Sequence, residues 1–171
     1  HFKESLSDFL PFDRMLVKIK KEIITLRTPV PDPAAHRAPA VAPAELRRWL
    51  DEGRDVVLLD TRNAFEVEAG TFRNALHLDL GWFGQFPQAA TALDPALKDR
   101  TVVTFCTGGI RCEKAAPVLM QQGFRDVLQL DGGILQYFED CGDAHFDGRC
   151  FVFDQRHSLD GRLQPEVAGK E

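Results

Sequence analysis

A short apolar segment leads directly into a cysteine and, one residue later, two glycines. Thr101–Phe105 is rich in β-branched and aromatic residues, which is typical of a buried strand. The loop Cys106-Thr-Gly-Gly-Ile-Arg111 follows, and Arg111–Gln122 then has the character of a helix that stops at Gly123. A strand, a tight loop and a helix in this order are typical of α/β proteins. The sequence therefore predicts a sheet with helices packed on it.

The alternation of strands and helices continues along the chain. The other predicted strands are short apolar runs, which lie at Val56–Leu59, Ala75–Leu80, Val127–Leu130 and Phe151–Phe153. The other predicted helices lie between them, around Leu46–Leu50, at Ala64–Ala69, over Trp82–Leu97 with a break at Pro87, and from Gly132-Gly133 to Glu139. This order predicts an α/β domain over residues 44–157, with a parallel sheet covered by helices on both faces.

Three segments lie outside this domain in our prediction. Residues 28–43 contain five of the ten prolines and are predicted to form an extended linker. Val17-Lys-Ile-Lys20 alternates apolar and basic residues, as a half-buried strand does. Because one strand cannot bury itself, residues 1–27 are interpreted as the C-terminal remnant of an N-terminal α+β domain. Residues 158–171 are polar without a clear period, and this tail is predicted to be either disordered or a truncated continuation.

Cys106 lies where an α/β sheet binds its ligands, directly after the carboxyl end of a predicted strand. The two glycines let the loop backbone close tightly, so that several N–H groups point inward at the positive end of the helix dipole. Such a cradle favours a thiolate, and we expect Cys106 to be a nucleophile with a lowered pKa. The alternative is a buried structural cysteine before an ordinary turn. The residues expected to form the anion-binding loop are Thr107, Gly108, Gly109, Ile110 and Arg111.

The block from residue 42 to 154 resembles a rhodanese domain in three places. Asp60-Thr-Arg62 with Glu66 resembles the motif near that domain's start, Cys106–Arg111 its active-site loop, and Leu130-Asp-Gly-Gly133 its closing turn. Related phosphatases have five residues between the cysteine and the arginine, whereas only four separate them here. The tighter loop suits a sulfur atom on the cysteine better than a phosphate, so phosphatase or arsenate reductase activity is disfavoured.

A longer set of motifs resembles the bacterial tRNA uridine hydroxylases, a rhodanese-related family. The motifs are Pro11–Arg14, Val17–Glu22, Asp60–Glu66, Gly70–Phe72, Cys106–Lys114 and Cys150–Asp154. The resemblance implies oxygen-dependent conversion of the wobble uridine of tRNA to 5-hydroxyuridine, with Cys106 as the essential thiol. The resemblance also implies dioxygen as co-substrate and tRNA as partner. The sequence contains no recognisable metal-binding or flavin-binding motif. The alternatives are a sulfurtransferase that forms a persulfide on Cys106 and a non-catalytic protein-binding module.

Four further residues are expected to support the site. Cys112 lies in the first turn of the predicted helix, where it is a possible resolving thiol for an oxidised or persulfidated Cys106. The alternative is a small residue packed against the sheet. Asp60, Arg62 and Glu66 follow a buried strand at the same sheet edge, and we expect them to brace the loop through hydrogen bonds. The alternative is a direct part in the chemistry.

The remaining cysteines do not predict a metal site. Cys141, His145, Cys150 and His157 match no standard zinc spacing, so incidental residues are the better interpretation. A chain of 171 residues can fold without disulfides, and two of its four cysteines flank a glycine turn where reactive thiols occur. We therefore expect a reducing, cytoplasmic setting.

The net charge of −5 argues against a chain that grips nucleic acid over its whole surface. Local basic clusters at Lys18, Lys20, Lys21 and Arg27 and at Arg47-Arg48 are either solvated faces or phosphate contacts. Trp82, Phe83 and Phe86 are expected to pack in the core rather than to stack on bases.

Overall fold

The computed structural model describes residues 10–15, 17–20, 22–26 and 37–166. Its strands are β1 (Ala40–Val41), β2 (Val56–Asp60), β3 (Gly70–Phe72), β4 (Leu76–His77), β5 (Thr101–Phe105), β6 (Asp126–Leu130), β7 (Phe146–Gly148), β8 (Cys150–Phe151) and β9 (Ser158–Leu159). Its α-helices are α1 (Pro43–Asp51), α2 (Ala64–Ala69), α3 (Phe86–Ala90), α4 (Cys112–Gln121) and α5 (Gly133–Cys141). Two 3₁₀ helices span Phe83–Gln85 and Pro95–Asp99.

The central sheet has five parallel strands in the order β1-β6-β5-β2-β4. Successive side chains of a strand point to opposite faces, so Val57 and Leu59 join one hydrophobic cluster while Leu58 joins the other. The first cluster includes residues of α3 and α4, and the second includes residues of α1 and α5. The predicted parallel sheet with helices on both faces is confirmed.

Two predicted elements around Pro87 have different bounds in the structure. The strand predicted at Ala75–Leu80 is only Leu76–His77, because Asp79 has a φ of 50° and turns the chain out of the extended conformation. The helix predicted at Trp82–Leu97 is three short helical pieces. Pro87 lies in the first turn of α3, where its missing N–H costs no helical hydrogen bond. Proline therefore begins a helix here instead of breaking one.

The flanking segments also differ from the prediction. Residues 17–20 form no strand, and both of their apolar side chains, Val17 and Ile19, are exposed. An alternating pattern gives a strand only where a partner supplies the hydrogen bonds, and residues 17–20 have no pairing partner among the described residues. The last residues of the predicted linker lie in β1 and α1, whereas residues 27–36 are outside the described residues.

The polar segment after residue 157 begins inside the folded domain. Ser158 and Leu159 form β9, which pairs antiparallel with β8, and both are buried. Their strand is two residues long, too short for a periodic pattern, so the prediction of a disordered tail is wrong for this part. Residues 167–171 lie outside the described residues. Within the part of the chain that the structure describes, no helix is long and apolar enough to cross a membrane.

Candidate active site

The cysteine loop lies at the carboxyl edge of the sheet between β5 and α4. β2 and β5 are neighbours in register, with Asp60 opposite Phe105, so Thr61 and Cys106 follow side by side. The Thr61 backbone N–H and hydroxyl both donate to the carbonyl of Phe105, each at 3.0 Å. Residues 107–109 are half-buried, and Ile110 is 47% exposed. The loop is therefore open to solvent although Cys106 itself is buried.

The start of α5 holds the loop from behind. The N–H of Ile134 donates to the carbonyl of Cys106 at 2.9 Å, and that of Leu135 donates to the carbonyl of Thr107 at 3.1 Å. Gly133 has a φ of +70°, and a Cβ atom there would lie 2.4 Å from the Cys106 carbonyl oxygen. The close approach of two backbones at this point therefore requires a glycine.

The structure gives Cys106 the surroundings of a thiolate. Its sulfur accepts a hydrogen bond from the Gly109 N–H at 3.1 Å. The Cys112 thiol, the charge of Arg111 and backbone N–H groups lower the pKa of Cys106 to about 6, against the opposing effect of burial. At neutral pH the nucleophilic form therefore predominates.

Cys112 has the opposite protonation behaviour. Cys112 is fully buried in the first turn of α4, and its sulfur lies 3.8 Å from the Thr61 hydroxyl oxygen. Burial, together with the neighbouring Cys106, raises the pKa of Cys112 well above its usual value. The pair therefore consists of a thiolate that accepts a hydrogen bond and a thiol that donates one.

Arg111 is fixed by a buried ion pair with Glu66. Its two terminal nitrogens donate to the two carboxylate oxygens at 2.6 and 2.7 Å. Glu66 is fully buried in α2 and also accepts from the Asn63 N–H at 3.1 Å. A bidentate pair of this kind sets the orientation as well as the charge of the guanidinium. The structure thus brings Glu66 directly against the loop.

Asp60 and Arg62 lie one layer further from the cysteine. Arg62 donates to Asp60 Oδ2 at 2.7 Å and to the Gly70 carbonyl at 2.6 Å. Asp60 Oδ2 also accepts from the Thr71 hydroxyl at 2.8 Å. These bonds fix β3 against the sheet edge, and β3 pairs in turn with β7. Asp60 and Arg62 therefore contact the surrounding framework, whereas Glu66 contacts the loop.

Sequence reasoning missed three residues of this site: Thr61, Asn63 and Gly133. Thr61 contacts the strand end and Cys112, Asn63 contacts Glu66, and Gly133 contacts the loop backbone. Thr61 and Gly133 belong to the motifs Asp60-Thr-Arg62 and Leu130-Asp-Gly-Gly133. The motifs were a usable signal, but the contacts depend on the tertiary fold.

Of the other candidate residues, Cys150 lies beside the loop at Thr107, whereas His145 lies on the surface. The described residues contain no group of three or more histidines, cysteines or carboxylates that could hold a metal ion. All four cysteines are free, and burial raises the pKa of Cys150 to about 12. His145 pairs with Asp51 at 2.6 Å on the surface.

The basic and aromatic candidates divide between surface and core. Arg47 and Arg48 pair with acidic residues of their own helical region. Lys18 and Lys20 are exposed, and Lys21 and Arg27 lie outside the described residues. Phe83 and Phe86 are buried, as expected, whereas Trp82 is 43% exposed.

Comparison with known proteins agrees with this geometry. The family model described as the rhodanese-like domain matches residues 42–140. A rhodanese-like domain from Anabaena sp. has a TM-score of 0.55 and 18% identity, over 78% of this chain and 88% of that one. A rhodanese-related protein from Thermoplasma volcanium has a TM-score of 0.50 and 21% identity, over 60% of this chain and 93% of that one. The fold and its cysteine loop thus define a rhodanese-like domain.

Curated relatives narrow this class further. The tRNA uridine(34) hydroxylase of Cupriavidus taiwanensis is 56% identical over 168 residues, which cover 95% of this chain and 60% of the relative. That of Bordetella pertussis is 56% identical over 170 residues, which cover 96% of this chain and 70% of the relative. The chain belongs to the tRNA uridine(34) hydroxylase family. It spans about 60% of the length of the first of these relatives.

Proposed function

We propose that this chain is the catalytic rhodanese-like part of an enzyme that hydroxylates uridine 34 of tRNA, with Cys106 as the essential thiol. The observation that carries the proposal is the Cys106 thiolate, cradled by loop N–H groups in a chain 56% identical to hydroxylases of this name. The substrate of the reaction is tRNA, so the proposed setting is the cytoplasm. The proposed co-substrate is dioxygen, and the product is 5-hydroxyuridine.

Cys112 has a defined place in this proposal. Hydroxylation replaces a C5–H bond by a C5–OH bond, and the second oxygen atom of dioxygen leaves as water after taking up two electrons and two protons. Formation of a disulfide between Cys106 and Cys112 supplies the two electrons. The Cys112 thiol supplies one proton, and solvent supplies the other because Cys106 is a thiolate. A small-molecule thiol then reduces the disulfide by exchange.

The experiment is a rescue of cells that lack the gene, with the nucleosides of their tRNA measured by mass spectrometry. Native protein and a Cys141→Ser variant restore 5-hydroxyuridine, because Cys141 lies at the end of α5 away from the loop. Cys106→Ser does not restore it. Cys112→Ser, which keeps a hydrogen-bond donor but cannot form a disulfide, does not restore it either. Normal 5-hydroxyuridine with Cys106→Ser would refute the proposed function, and normal product with Cys112→Ser would refute the role of the dithiol.

A second candidate function is sulfur transfer, favoured by the four-residue spacing between Cys106 and Arg111. The Cys106 thiolate attacks a sulfane sulfur, the donor leaves with the bonding electron pair, and the persulfide then passes its sulfur to an acceptor thiol. The test is intact-protein mass spectrometry after incubation with thiosulfate. A mass increase of one sulfur atom that is lost in Cys106→Ser supports this function, and an unchanged mass in the native protein refutes it.

A further inference from the structure

Three phenylalanines form an exposed aromatic cluster that the fold does not need for its core. Phe65 and Phe153 are 45% and 65% exposed, and Phe151 is half-buried between solvent and the domain. The ring centroids of Phe65 and Phe151 are 5.2 Å apart, those of Phe151 and Phe153 are 5.2 Å apart, and those of Phe65 and Phe153 are 6.3 Å apart. We refer to Phe65, Phe151 and Phe153 as the phenylalanine cluster.

The phenylalanine cluster is joined to the candidate active site at two points. Phe65 directly precedes Glu66, whose carboxylate holds Arg111 at the end of the cysteine loop. Phe151 directly follows Cys150, which is buried close enough to Thr107 for the two side chains to interact. The cluster therefore lies on the segments that flank the loop, and the exposed side chain of Ile110 lies within that loop.

The geometry of the rings suits planar ligands. All three pairs meet edge to face, with interplanar angles of 84°, 90° and 80°, so the rings are not stacked on one another. Aromatic side chains that are exposed to solvent are the groups on which proteins stack unpaired nucleobases. Exposed apolar side chains grouped beside a reactive residue mark a binding surface rather than a random part of the surface.

We propose that the phenylalanine cluster stacks on unpaired bases of the tRNA anticodon loop, next to the base that reaches Cys106. This inference rests on the proposed function, and it adds the surface that binds the substrate. Because the chain carries a net charge of −5, we assign affinity at this surface to stacking rather than to phosphate contacts. Binding through this surface should therefore not weaken as the salt concentration rises, because salt screens the repulsion between the acidic chain and RNA, whereas binding through lysines and arginines weakens with salt.

The test is binding of an anticodon stem-loop RNA to the native chain and to matched variants, at low and moderate salt. Phe65→Leu and Phe153→Leu keep an apolar side chain but remove the ring, and each weakens binding about tenfold. Phe65→Tyr keeps the ring and binds as the native chain does. Met120→Ala is the control, because Met120 is also 41% exposed but lies near the far end of α4 from the loop. A fully paired RNA duplex should not distinguish these variants.

Equal stem-loop affinity of the leucine variants and the native chain would overturn the inference, as would failure of the native chain to bind the stem-loop. The phenylalanine cluster could instead bind a second copy of the chain, and size-exclusion chromatography of the native chain and of Phe153→Leu tests for such a dimer. A native dimer that Phe153→Leu dissociates, with RNA binding unchanged, would also overturn it. Failure of this inference can be distinguished from failure of the proposed function. Cys106→Ser should bind the stem-loop normally and lose only the formation of 5-hydroxyuridine.

Discussion

The protonation state of Cys106 depends on opposing influences of its neighbours. Burial alone favours the neutral thiol, because a charge is poorly solvated in the protein interior. The hydrogen bond from Cys112, the charge of Arg111 and the loop N–H groups overcome that effect. A fully buried sulfur is therefore ionised near neutral pH, while the equally buried Cys112 remains a thiol.

The first prediction concerns the pH dependence of Cys106 alkylation. Because the pKa of Cys106 is lowered to about 6, its reaction rate with iodoacetamide should rise with pH through a midpoint near that value. Cys112→Ala removes the hydrogen bond and should move the midpoint upward, whereas Cys112→Ser should leave it nearly unchanged. The measurement is peptide mass spectrometry of labelled Cys106 against pH. A native midpoint at the pH of an ordinary free cysteine would contradict this account.

The second prediction concerns the Glu66–Arg111 pair. Glu66→Gln leaves the buried Arg111 charge without its partner, which should lower the free energy of unfolding by about 3–5 kcal/mol. Glu68→Gln is the control on the same helix, and because Glu68 is exposed it should change the stability by less than about 0.5 kcal/mol. Urea unfolding monitored by circular dichroism measures both. Equal stability of the two variants would contradict a stabilising role of this ion pair.

At the scale of elements, the contact between α5 and the cysteine loop positions Cys106. Two N–H groups of α5 donate to carbonyls of Cys106 and Thr107, and these bonds are possible because Gly133 has no side chain. The loop is thus held by a helix that begins 27 residues after Cys106, since α5 starts at Gly133.

The third prediction uses two glycines with similar backbone conformations. Gly133→Ala places a Cβ 2.4 Å from the Cys106 carbonyl oxygen, while Gly53→Ala, at a similar φ of +66°, meets nothing within 4 Å. Gly53→Ala should cost about 1 kcal/mol of stability from backbone strain alone. Gly133→Ala should cost more and should also raise the alkylation midpoint of Cys106. Equal losses of stability with an unchanged midpoint would contradict the positioning role of this contact.

Elements with their own sequence pattern were predictable, and those that depend on a distant partner were not. α2, β5 and α4 lie within one residue of their predicted bounds, because apolar spacing and glycine stops are local signals. The pairs β3–β7 and β8–β9 join short strands whose partners lie elsewhere in the chain. Of these four strands, only β8 overlaps a predicted strand, and its bounds are Cys150–Phe151 instead of the predicted Phe151–Phe153. Strands of two or three residues carry no periodicity from which their bounds could be recognised.

The candidate site was predictable to a similar extent. The position of the cysteine loop was predictable from the Cys106–Arg111 motif between a strand and a helix. The charged residues near the loop were predictable from motifs as well. The bidentate pair of Glu66 with Arg111 and the approach of Gly133 to Cys106 require the packed sheet. The difference between Glu66, which contacts the loop, and Arg62, which contacts Gly70, is likewise a tertiary property.

At the scale of the whole molecule, the segment before the linker packs on the domain. Leu26 is fully buried in the cluster formed with α3 and α4, and Lys114 of α4 pairs with Glu22 at 3.1 Å. Lys114 also donates to the carbonyl of Ile24. The helix that carries Cys112 at its start thus contacts a part of the chain that the sequence assigned to another domain.

The fourth prediction tests this packing. Leu26→Ala should lower the free energy of unfolding of the chain by about 2–5 kcal/mol, because it leaves a cavity in the core. Ile23→Ala is the matched control, since Ile23 is 78% exposed, and it should change the stability by less than about 0.5 kcal/mol. Thermal and urea unfolding measure both. If Leu26→Ala left the stability unchanged, the segment would be independent of the rhodanese-like domain.

Oxygen transfer to uridine 34 can be measured by reaction of the purified protein with unmodified tRNA under isotopically heavy dioxygen and a thiol reductant. The nucleoside at position 34 is then analysed by mass spectrometry. The account predicts 5-hydroxyuridine that carries the heavy oxygen, formed by the native protein and by Cys141→Ser but not by Cys106→Ser. Product that carries oxygen from water, or equal product from Cys106→Ser, would contradict it.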